Sequence, residues 1–349
     1  MARTAVVAGA LGVAGRALVE HLEAEPAWRV VGLSRRAPDF ASRAEFIRVD
    51  LLDAADCRAK LAPLGEATHL FFAAYQAAPN PAAEVAPNLA MLVNLVEALE
   101  SIAPGLAHVQ VIHGSKWYGN HLGPYRTPAR EDDARHLPPN FYYDQQDWLE
   151  ARQRGKRWTW SALRPHGLLG LSIGSPMNQL TALGVFGSIA THLGLPLCWP
   201  GKPGAFERVY QFTDAGHLAR AMSWAATTPA CANQAFNLTN GDFVRWRNLW
   251  PAVARFFGTE PGPVRTLPLE AVMADKEPLW REIVARRGLK PYRVGELTNW
   301  RFADFVYGTE YDQMSSLTKA RRAGWHHDLD SEAALLGLLA RLRAERLIP

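Results

Sequence analysis

Three glycines near the start of the chain restrict its fold more than any other feature. Gly9, Gly12 and Gly15 follow the apolar run 4–8 and precede residues with helical spacing from Val13 onward. A glycine-rich turn between a first strand and a first helix lets the backbone approach a pyrophosphate closely. The helix start then offers free N–H groups and the positive end of its dipole. The pattern therefore predicts a dinucleotide-binding loop.

Strand and helix patterns alternate along the first 165 residues. Apolar runs predict six strands, at 4–8, 28–33, 45–49, 68–73, 108–112 and 158–163, and helical spacing predicts helices over 13–24, 54–64, 88–99 and 141–154. Such alternation is typical of a doubly wound parallel sheet. We therefore predict an α/β fold with a Rossmann-type core over residues 1–165 and a smaller C-terminal substrate-binding cap lobe.

The pattern loosens after the sixth strand. Residues 166–349 are interpreted as a mixed substrate-binding and cap region with short segments that return to the core, and short strands are predicted at 208–212 and 235–239. The segment 165–201 contains no Asp, Glu, Lys or Arg. Prolines and glycines interrupt it too often for a membrane span, and no membrane association is predicted. It is either buried core or the apolar wall of a substrate pocket.

Composition excludes several classes of protein. The net charge of +4 is too balanced for a nucleic-acid binder. Cys57, Cys198 and Cys231 are widely spaced and form neither a metal-binding pattern nor a disulfide framework, so no metal and a cytoplasmic location are predicted. The N-terminal residues lack the long apolar run of a signal peptide. Only seven of the 38 basic residues are lysines, which suggests a GC-rich bacterial genome.

The end of the second strand indicates which coenzyme is bound. Enzymes that prefer NAD usually place an acidic residue there, whereas this chain has Ser34, Arg35 and Arg36. Guanidinium groups suit the 2′-phosphate of NADP through charge-assisted hydrogen bonds. The alternative is that both arginines are solvated surface residues with no ligand. NADPH/NADP+ is therefore the predicted coenzyme. Asp50, after the third strand, is expected to contact the adenine amino group.

The residues of the reaction centre are separated along the sequence. Short-chain dehydrogenases usually carry a lysine four residues after the catalytic tyrosine, but Tyr142 and Tyr143 are followed at that spacing by Gln146 and Asp147. Lys116 instead lies in the loop after the fifth strand. Loops that follow parallel strands share one edge of the sheet, so Lys116 is expected to meet a tyrosine at the start of the next helix.

These residues carry a resemblance to a known family. The segments His113-Gly114-Ser115-Lys116-Trp117-Tyr118 and Asn140-Phe141-Tyr142-Tyr143, together with Arg164-Pro165, 235–242 and 276–280, resemble motifs of the progesterone 5β-reductase and iridoid synthase-like enzymes. That family is an atypical branch of the short-chain dehydrogenases, and the resemblance covers nearly the whole chain. It identifies the chain as a member, and the bacterial composition suggests a bacterial one.

The resemblance implies a reaction. It implies NADPH-dependent reduction of the C=C bond of an α,β-unsaturated carbonyl compound, with hydride delivered to the β-carbon. Tyr142 would stabilise the enolate oxygen, and Lys116 would orient the coenzyme ribose and make the tyrosine proton more acidic. The implied substrate is a small apolar enone or enal, and a homodimer is left open. An apolar pocket wall is expected from Leu168, Met177, Leu180, Phe186 and Trp199.

The expected site residues follow from the strand ends and the resemblance. Tyr142 and Lys116 are the expected catalytic residues. The expected coenzyme contacts are Gly9, Leu11, Gly12, Val13, Gly15, Ser34, Arg35, Arg36, Asp50, Leu51, Ala74, Ile112, Lys116, Tyr142, Pro165, Leu168 and Ser175. The expected substrate contacts are Tyr75, Trp117, Tyr143 and Met177.

Four positions depart from the family motifs. His113, Trp117, Gln146 and His166 stand where the family has Thr, His, often Glu, and often Gly. His113 and His166 either add a proton donor beside the nicotinamide or are packed histidines. Two other functions stay open. One is aldehyde or ketone reduction, or epimerisation, on the same fold. The other is a non-catalytic coenzyme-sensing module, against which the intact Tyr142 and Lys116 argue.

Overall fold

The computed structural model describes residues 3–349, which divide into two compact units. The first unit contains the chain up to His166 together with Ala215–Leu238 and Ser315–His326. The second unit contains Gly167–Asp214, Thr239–Met314 and His327–Pro349.

Eleven strands and fourteen α-helices are found in the described part of the chain. In chain order they are β1 (Arg3–Ala8), α1 (Val13–Glu23), β2 (Trp28–Ser34), β3 (Glu45–Arg48), α2 (Ala54–Leu61), β4 (His69–Phe72), α3 (Pro81–Ile102), β5 (His108–Ile112), α4 (Phe141–Gln153), β6 (Thr159–Pro165), β7 (Leu168–Leu169), α5 (Gln179–His192), β8 (Leu197–Trp199), α6 (Pro203–Glu207), β9 (Thr213–Asp214), α7 (Ala215–Thr227), β10 (Gln234–Leu238), α8 (Trp246–Phe256), β11 (Pro261–Val264), α9 (Leu269–Val272), α10 (Glu277–Arg287), α11 (Val294–Leu297), α12 (Trp300–Gly308), α13 (Thr318–Arg322) and α14 (Ser331–Ala344).

A seven-stranded sheet forms the centre of the first unit. Its order is β10-β6-β5-β4-β1-β2-β3, and all neighbouring strands run parallel. Helices α1 and α7 pack together, as do α2, α3 and α4. Side chains of β5 alternate between these two layers, since Gln110 bonds to the backbone of Met222 in α7 while Val109 and Val111 join the core that contains α3. The predicted doubly wound Rossmann-type fold is confirmed.

The order of the sheet fixes where a ligand site can form. Strand β1 lies between β2 and β4. The chain therefore adds β2 and β3 on one side of β1 and then crosses to add β4, β5 and β6 on the other side. Parallel sheets of this kind bind ligands beyond the carboxyl ends of the strands at such a switch in order. The loops that follow β1, β2, β4, β5 and β6 all lie at that edge.

Of the two strands predicted beyond the sixth strand, one is wrong and one is confirmed. The strand expected at 208–212 is wrong, because that segment contains only an isolated bridge between Tyr210 and Val244. The strand expected at 235–239 exists as β10, but it pairs with β6 at the edge of the main sheet and belongs to the first unit. Strand pairing is non-local, so the sequence pattern carries no information about the partner.

Helix α3 is longer than predicted, because it begins at Pro81 with Asn80 as its N-cap and not at residue 88. Proline at the first helical position is compatible with a helix, since its missing N–H would have no partner there. Among the described residues, this helix alone is long and apolar enough to span a membrane, judged by length and composition only. Its residues Leu92, Leu95 and Val96 are buried in the core of the first unit.

The second unit has its own hydrophobic core, built mainly from helices. Trp199 is fully buried in it and packs against the rings of Trp246, Trp250 and Tyr307. Leu180 and Phe186 of α5 belong to the same core. Core packing is thus what the structure shows for these three predicted wall residues. Leu168 and Met177 are only partly buried.

Two buried histidines make the stability of the first unit dependent on pH. His108 bonds to Thr159 and Ser161, both at 2.8 Å, and burial lowers its pKa to about 3. Burial and the charge of Arg3 lower the pKa of His69 to about 4. The unfolded chain, with histidine pKa near 6.5, takes up protons that the folded chain does not.

Stability is therefore expected to be fully present above pH 6.5 and to fall as the pH falls toward 4. Each histidine should contribute a slope of about 1.4 kcal/mol per pH unit. Urea unfolding between pH 7.5 and 5 measures this slope. His69→Gln and His108→Gln should each flatten it, and an unchanged slope in both variants would contradict the assignment.

Candidate active site

The turn after β1 requires glycine at two positions for internal steric reasons. Gly9 has φ of +75°, and a Cβ there would lie 2.6 Å from the carbonyl oxygen of Ala73. A Cβ on Gly15 would lie 2.1 Å from the carbonyl oxygen of Gly9. Both distances are far below van der Waals contact, so larger residues would force the turn away from β4 and from the start of α1.

Gly12 leaves space open where α1 begins. A Cβ there would meet only the carbonyl oxygen of Gly9 within 4 Å, at 3.3 Å. Gly12 is the N-cap residue, and no side chain caps this helix end. Open space over an uncapped helix start, with Leu11 and Val13 beside it, fits the phosphates of a dinucleotide coenzyme.

The arginines after β2 are exposed and already held by neighbours. Arg35 Nη1 donates to Gln76 Oε1 at 3.1 Å, and Arg36 Nη1 lies 3.0 Å from Asp39 Oδ2. The hydroxyl of Ser34 accepts a hydrogen bond from Arg36 N at 3.1 Å. The three residues predicted to hold a 2′-phosphate therefore form one polar turn at the sheet edge.

A buried arginine supports this turn, and no sequence pattern indicates its role. Arg16 is 4% exposed in the first turn of α1, and its guanidinium stacks on Phe40 at 4.3 Å. It forms an ion pair with Glu20 at 3.0 Å and lies 3.8 Å from the Asp39 carboxylate that also binds Arg36. Asp39 thus connects the start of α1 with the polar turn formed by Ser34, Arg35 and Arg36.

The other predicted coenzyme contacts in the first unit lie near strand ends. Asp50 is exposed, and its Oδ1 accepts from Leu52 N at 3.0 Å, while Leu51 is buried. Ala74 follows β4, Ile112 ends β5 and Pro165 ends β6. These positions share the carboxyl edge of the sheet with the glycine turn.

Asn140 joins the two segments that carry the predicted catalytic pair. Its Oδ1 accepts from Tyr142 N at 3.1 Å and so caps α4. Its Nδ2 donates to the carbonyl oxygen of Lys116 at 2.9 Å. Lys116 lies in a single 3-10 turn over Ser115–Tyr118 that ends at Gly119 with φ of +75°. One side chain therefore links the backbones of Lys116 and Tyr142.

The hydroxyl of Tyr142 is a hydrogen-bond donor without a partner among the described residues. Its residue is 8% exposed, and its ring lies 4.8 Å from that of His113 and 4.5 Å from that of Phe141. Within residues 3–349 its hydroxyl makes no hydrogen bond. A Cβ at Gly114 would lie 3.4 Å from that hydroxyl, so glycine keeps its surroundings open.

The pKa of Tyr142 is raised in the folded chain. Burial is the larger cause, because it disfavours the phenolate, and the negative charge of Glu84 raises the pKa further. Tyr142 consequently keeps its proton across the ordinary pH range. The acidifying effect expected of Lys116 stays a prediction.

His113 is packed beside this tyrosine. It is 3% exposed and stacks on Trp117 with ring centroids 5.6 Å apart. Neither ring nitrogen has a hydrogen-bond partner among the described residues, and burial, with the charges of Arg164 and Arg135, keeps its pKa well below 6.5. His113 is thus a neutral ring in contact with the donor.

His166 has a different environment. Its Nδ1 lies 2.6 Å from the hydroxyl of Ser115, which accepts from Asn120 Nδ2 at 2.8 Å. The Ser115 hydroxyl thus shares hydrogen bonds with both side chains, and His166 helps to hold the turn that contains Lys116.

Trp117 and Tyr143 are held by internal contacts. The guanidinium of Arg164 lies 3.6 Å from the Trp117 ring. The hydroxyl of Tyr143 donates to the carbonyl oxygen of Trp117 at 2.6 Å and accepts from His136 N at 2.8 Å. Both side chains stabilise the turn Ser115–Tyr118 that contains Lys116. A direct contact of either side chain with a substrate stays a prediction.

The motif at 235–242 has a structural role in the first unit. Asn237 of β10 accepts from the hydroxyl of Tyr118 at 2.6 Å and donates to the carbonyl oxygen of Ala129 at 3.0 Å. Its N–H donates to Glu131 Oε1 at 2.8 Å. This network fixes the loop after β5 against the edge strand.

Three predicted site residues belong to the second unit. Leu168 lies in β7, which pairs with β9. Ser175 and Met177 are partly buried residues of the loop before α5. Asn178 anchors that loop by capping α5 and by donating to the carbonyl oxygen of Gly170 at 3.1 Å. Their predicted roles as ligand contacts stay predictions.

Comparison with known proteins agrees with this arrangement. Residues 48–349 match the family described as PRISE-like Rossmann-fold domain. The chain is 32% identical to an (S)-8-oxocitronellyl enol synthase of Nepeta racemosa, with 99% of this chain and 93% of that protein covered. It is also 32% identical, with the same coverage, to the 3-oxo-Delta(4,5)-steroid 5-beta-reductase of Arabidopsis thaliana.

Solved structures agree on the fold. The UDP-glucose 4-epimerase of Thermotoga maritima superimposes with a TM-score of 0.71 at 18% identity, over 98% of this chain and 99% of the other. Full-length similarity at about one-third identity, the matching family model and the shared fold lead to one conclusion. The chain belongs to the PRISE-like Rossmann-fold family.

Proposed function

We propose that this protein is an NADPH-dependent reductase of the C=C bond of α,β-unsaturated carbonyl compounds. The observation that carries the proposal is the Tyr142 hydroxyl, which is protonated, lacks a partner within residues 3–349 and is linked through Asn140 to Lys116. Two relatives support it, since one is named an oxocitronellyl enol synthase and the other a reductase of 3-oxo-Delta(4,5)-steroids. The protein is an oxidoreductase of the short-chain dehydrogenase type.

Tyr142 supplies stabilisation where charge develops. The coenzyme, when bound, would supply hydride for the β-carbon of the substrate. Negative charge then grows on the carbonyl oxygen, and a hydroxyl aimed at that oxygen binds the transition state more strongly than the ground state. The raised pKa of Tyr142 suits this role, because the hydroxyl stays a donor and does not become a phenolate.

The same property favours enone over carbonyl reduction. Reduction of a carbonyl carbon produces an alkoxide, which needs a full proton from the acid. An enolate spreads its charge over oxygen and carbon and needs only a hydrogen bond at oxygen, while water protonates the carbon afterwards. A buried tyrosine that holds its proton tightly is better suited to the second task.

Residues of the first unit are proposed to hold the coenzyme. The turn Gly9–Gly15 and the start of α1 would bind the pyrophosphate, and Ser34, Arg35 and Arg36 would bind the 2′-phosphate. The Lys116 ammonium would hydrogen-bond the nicotinamide ribose. The hydrogen bond from Asn140 to the carbonyl oxygen of Lys116 links the backbone of that residue to the start of α4, where Tyr142 lies.

A screen of NADPH oxidation over enones, enals and ketones, with identification of each product, tests the proposal. Saturated carbonyl products are expected. Allylic alcohols would favour carbonyl reduction, and no turnover of any compound in the panel would revive the coenzyme-sensing alternative.

Lys116→Met is expected to lower kcat and to weaken coenzyme binding together, because the ammonium contacts the coenzyme beside the reacting group. Steady-state kinetics and quenching of protein fluorescence by NADPH measure the two effects. Lys60→Met, which removes an exposed lysine of α2, is the matched control. Kinetics and affinity equal to those of the control would show that Lys116 does not serve the site.

A further inference from the structure

A second polar pair lies beside Tyr142 and is not used by the reaction described above. Tyr75 follows β4, and Glu84 lies in the first turn of α3. The hydroxyl of Tyr75 donates a short hydrogen bond to Glu84 Oε1. The Tyr75 ring stacks on Phe141 with centroids 5.7 Å apart, and Phe141 contacts the Tyr142 ring at 4.5 Å. The pair therefore lies against the aromatic group that carries the catalytic donor.

Glu84 lies in the first turn of α3, where the helix dipole favours a negative charge but supplies no ion-pair partner. Within residues 3–349 no Lys, Arg or His forms an ion pair with it, and its one side-chain hydrogen bond comes from Tyr75. The other glutamates of α3 differ, since Glu97 pairs with Arg152 at 3.5 Å and Glu100 with Arg152 and Lys156. Glu84 is only partly buried, so Oε2 can accept a bond from a ligand.

Electrostatics make an unpaired carboxylate at this place unfavourable for the proposed reaction. Glu84 is near enough to raise the pKa of Tyr142, and the same field opposes the negative charge that grows on the substrate oxygen. A hydrogen-bond donor from the substrate would occupy the carboxylate and reduce that repulsion. Such a substrate would gain both binding and transition-state stabilisation.

We propose that the Tyr75–Glu84 pair is a recognition site for a hydroxyl group on the substrate, so that the preferred substrate is a hydroxylated α,β-unsaturated carbonyl compound. Glu84 accepts the hydrogen bond from that hydroxyl, and Tyr75 fixes the carboxylate by donating to its other oxygen. Glu84 is a specificity-determining residue that sequence motifs do not indicate. The inference rests on the proposed function for the orientation of the substrate.

Three matched ketones test it: hept-3-en-2-one with a terminal hydroxyl, with a terminal methoxy group, and with neither. The methoxy compound resembles the hydroxyl compound in size and polarity but cannot donate. Only the hydroxyl compound can donate to the carboxylate of Glu84, and a hydrogen bond to a charged acceptor is a strong one. We therefore expect kcat/KM to be about 10-fold or more higher for the hydroxyl compound than for the methoxy compound. Glu84→Gln should reduce that ratio to near one, whereas Glu97→Gln on the same helix should leave it unchanged.

Binding is measured separately from turnover. Calorimetric titration of the three ketones into the enzyme loaded with NADP+ reports affinity when no hydride is available. A hydroxyl preference that is present in the wild type and lost in Glu84→Gln supports the inference even if the ketones are not reduced, in which case only the proposed function fails. Equal affinity for the hydroxyl and methoxy compounds would overturn the inference, whether or not the ketones are reduced.

Tyr75→Phe separates the two members of the pair. Loss of the Tyr75 hydroxyl frees Glu84 Oε1, so the preference for the hydroxyl compound should persist or increase. A preference that is lost in Tyr75→Phe but kept in Glu84→Gln would show that the tyrosine hydroxyl, and not the carboxylate, recognises the ligand.

Discussion

Tyr142→Phe is expected to lower kcat for an activated enone by about 10²–10³ while leaving measurable activity, as for the loss of one oxyanion donor. The hydroxyl stabilises an enolate but need not deliver a proton, because water can protonate the carbon later. The neutral ring of His113 lies 4.8 Å from the Tyr142 ring and is positioned to soften the loss. Steady-state turnover of wild type and variant, with product identification, measures the effect.

Tyr292→Phe, in the second unit, controls for loss of a tyrosine hydroxyl elsewhere. It should leave kcat unchanged. If the wild type gives only allylic alcohol and Tyr142→Phe is inactive, the proton of Tyr142 is transferred and not shared. Carbonyl reduction would then replace enone reduction as the function.

Replacing Arg35 and Arg36 together with alanine is expected to shift coenzyme preference from NADPH toward NADH by about 10²-fold or more, because each lost charge-assisted bond contributes about 1.5–3 kcal/mol. The Michaelis constant for NADPH should rise far more than that for NADH, since only NADPH carries the 2′-phosphate. The shift should shrink at high salt, because both side chains are exposed.

Arg58→Ala combined with Arg157→Ala removes the same net charge from exposed positions of the first unit and is the matched control. It should change neither Michaelis constant substantially. Equal effects of the Arg35 and Arg36 replacements on both coenzymes would show that these arginines are solvated surface residues and not a phosphate site.

Features set by local sequence were predictable. The glycine turn, the first six strands and the start of α4 follow from backbone sterics, from continuous apolar runs in buried parallel strands and from an N-cap asparagine. The backbone turn of Lys116 was also expected beside the start of α4, because the ends of parallel strands share an edge, and Asn140 links the two segments. The hydrogen bond from Asn140 to the carbonyl oxygen of Lys116 was not predicted. The sequence indicates that Asn140 caps α4, but it does not indicate a second hydrogen bond from the same side chain to a distant loop.

Features that depend on distant pairing were not predictable. Arg16 and Asp39 are 23 residues apart in the sequence but lie 3.8 Å from each other in the structure. No sequence pattern indicates that they support the turn of Arg35 and Arg36. Glu84 lies outside the helix predicted over 88–99, and only the earlier start of α3 at Pro81 places it in a first turn. The raised pKa of Tyr142 was not predictable either, because desolvation and the charge of Glu84 arise only in the folded chain.

The fate of the hydride tests the central claim most directly. An enal is reduced with NADPH that carries deuterium at the transferred position of the nicotinamide, and the label is located by NMR in the product. The proposed function predicts deuterium on the former β-carbon of a saturated aldehyde. Deuterium on the former carbonyl carbon of an allylic alcohol would contradict it.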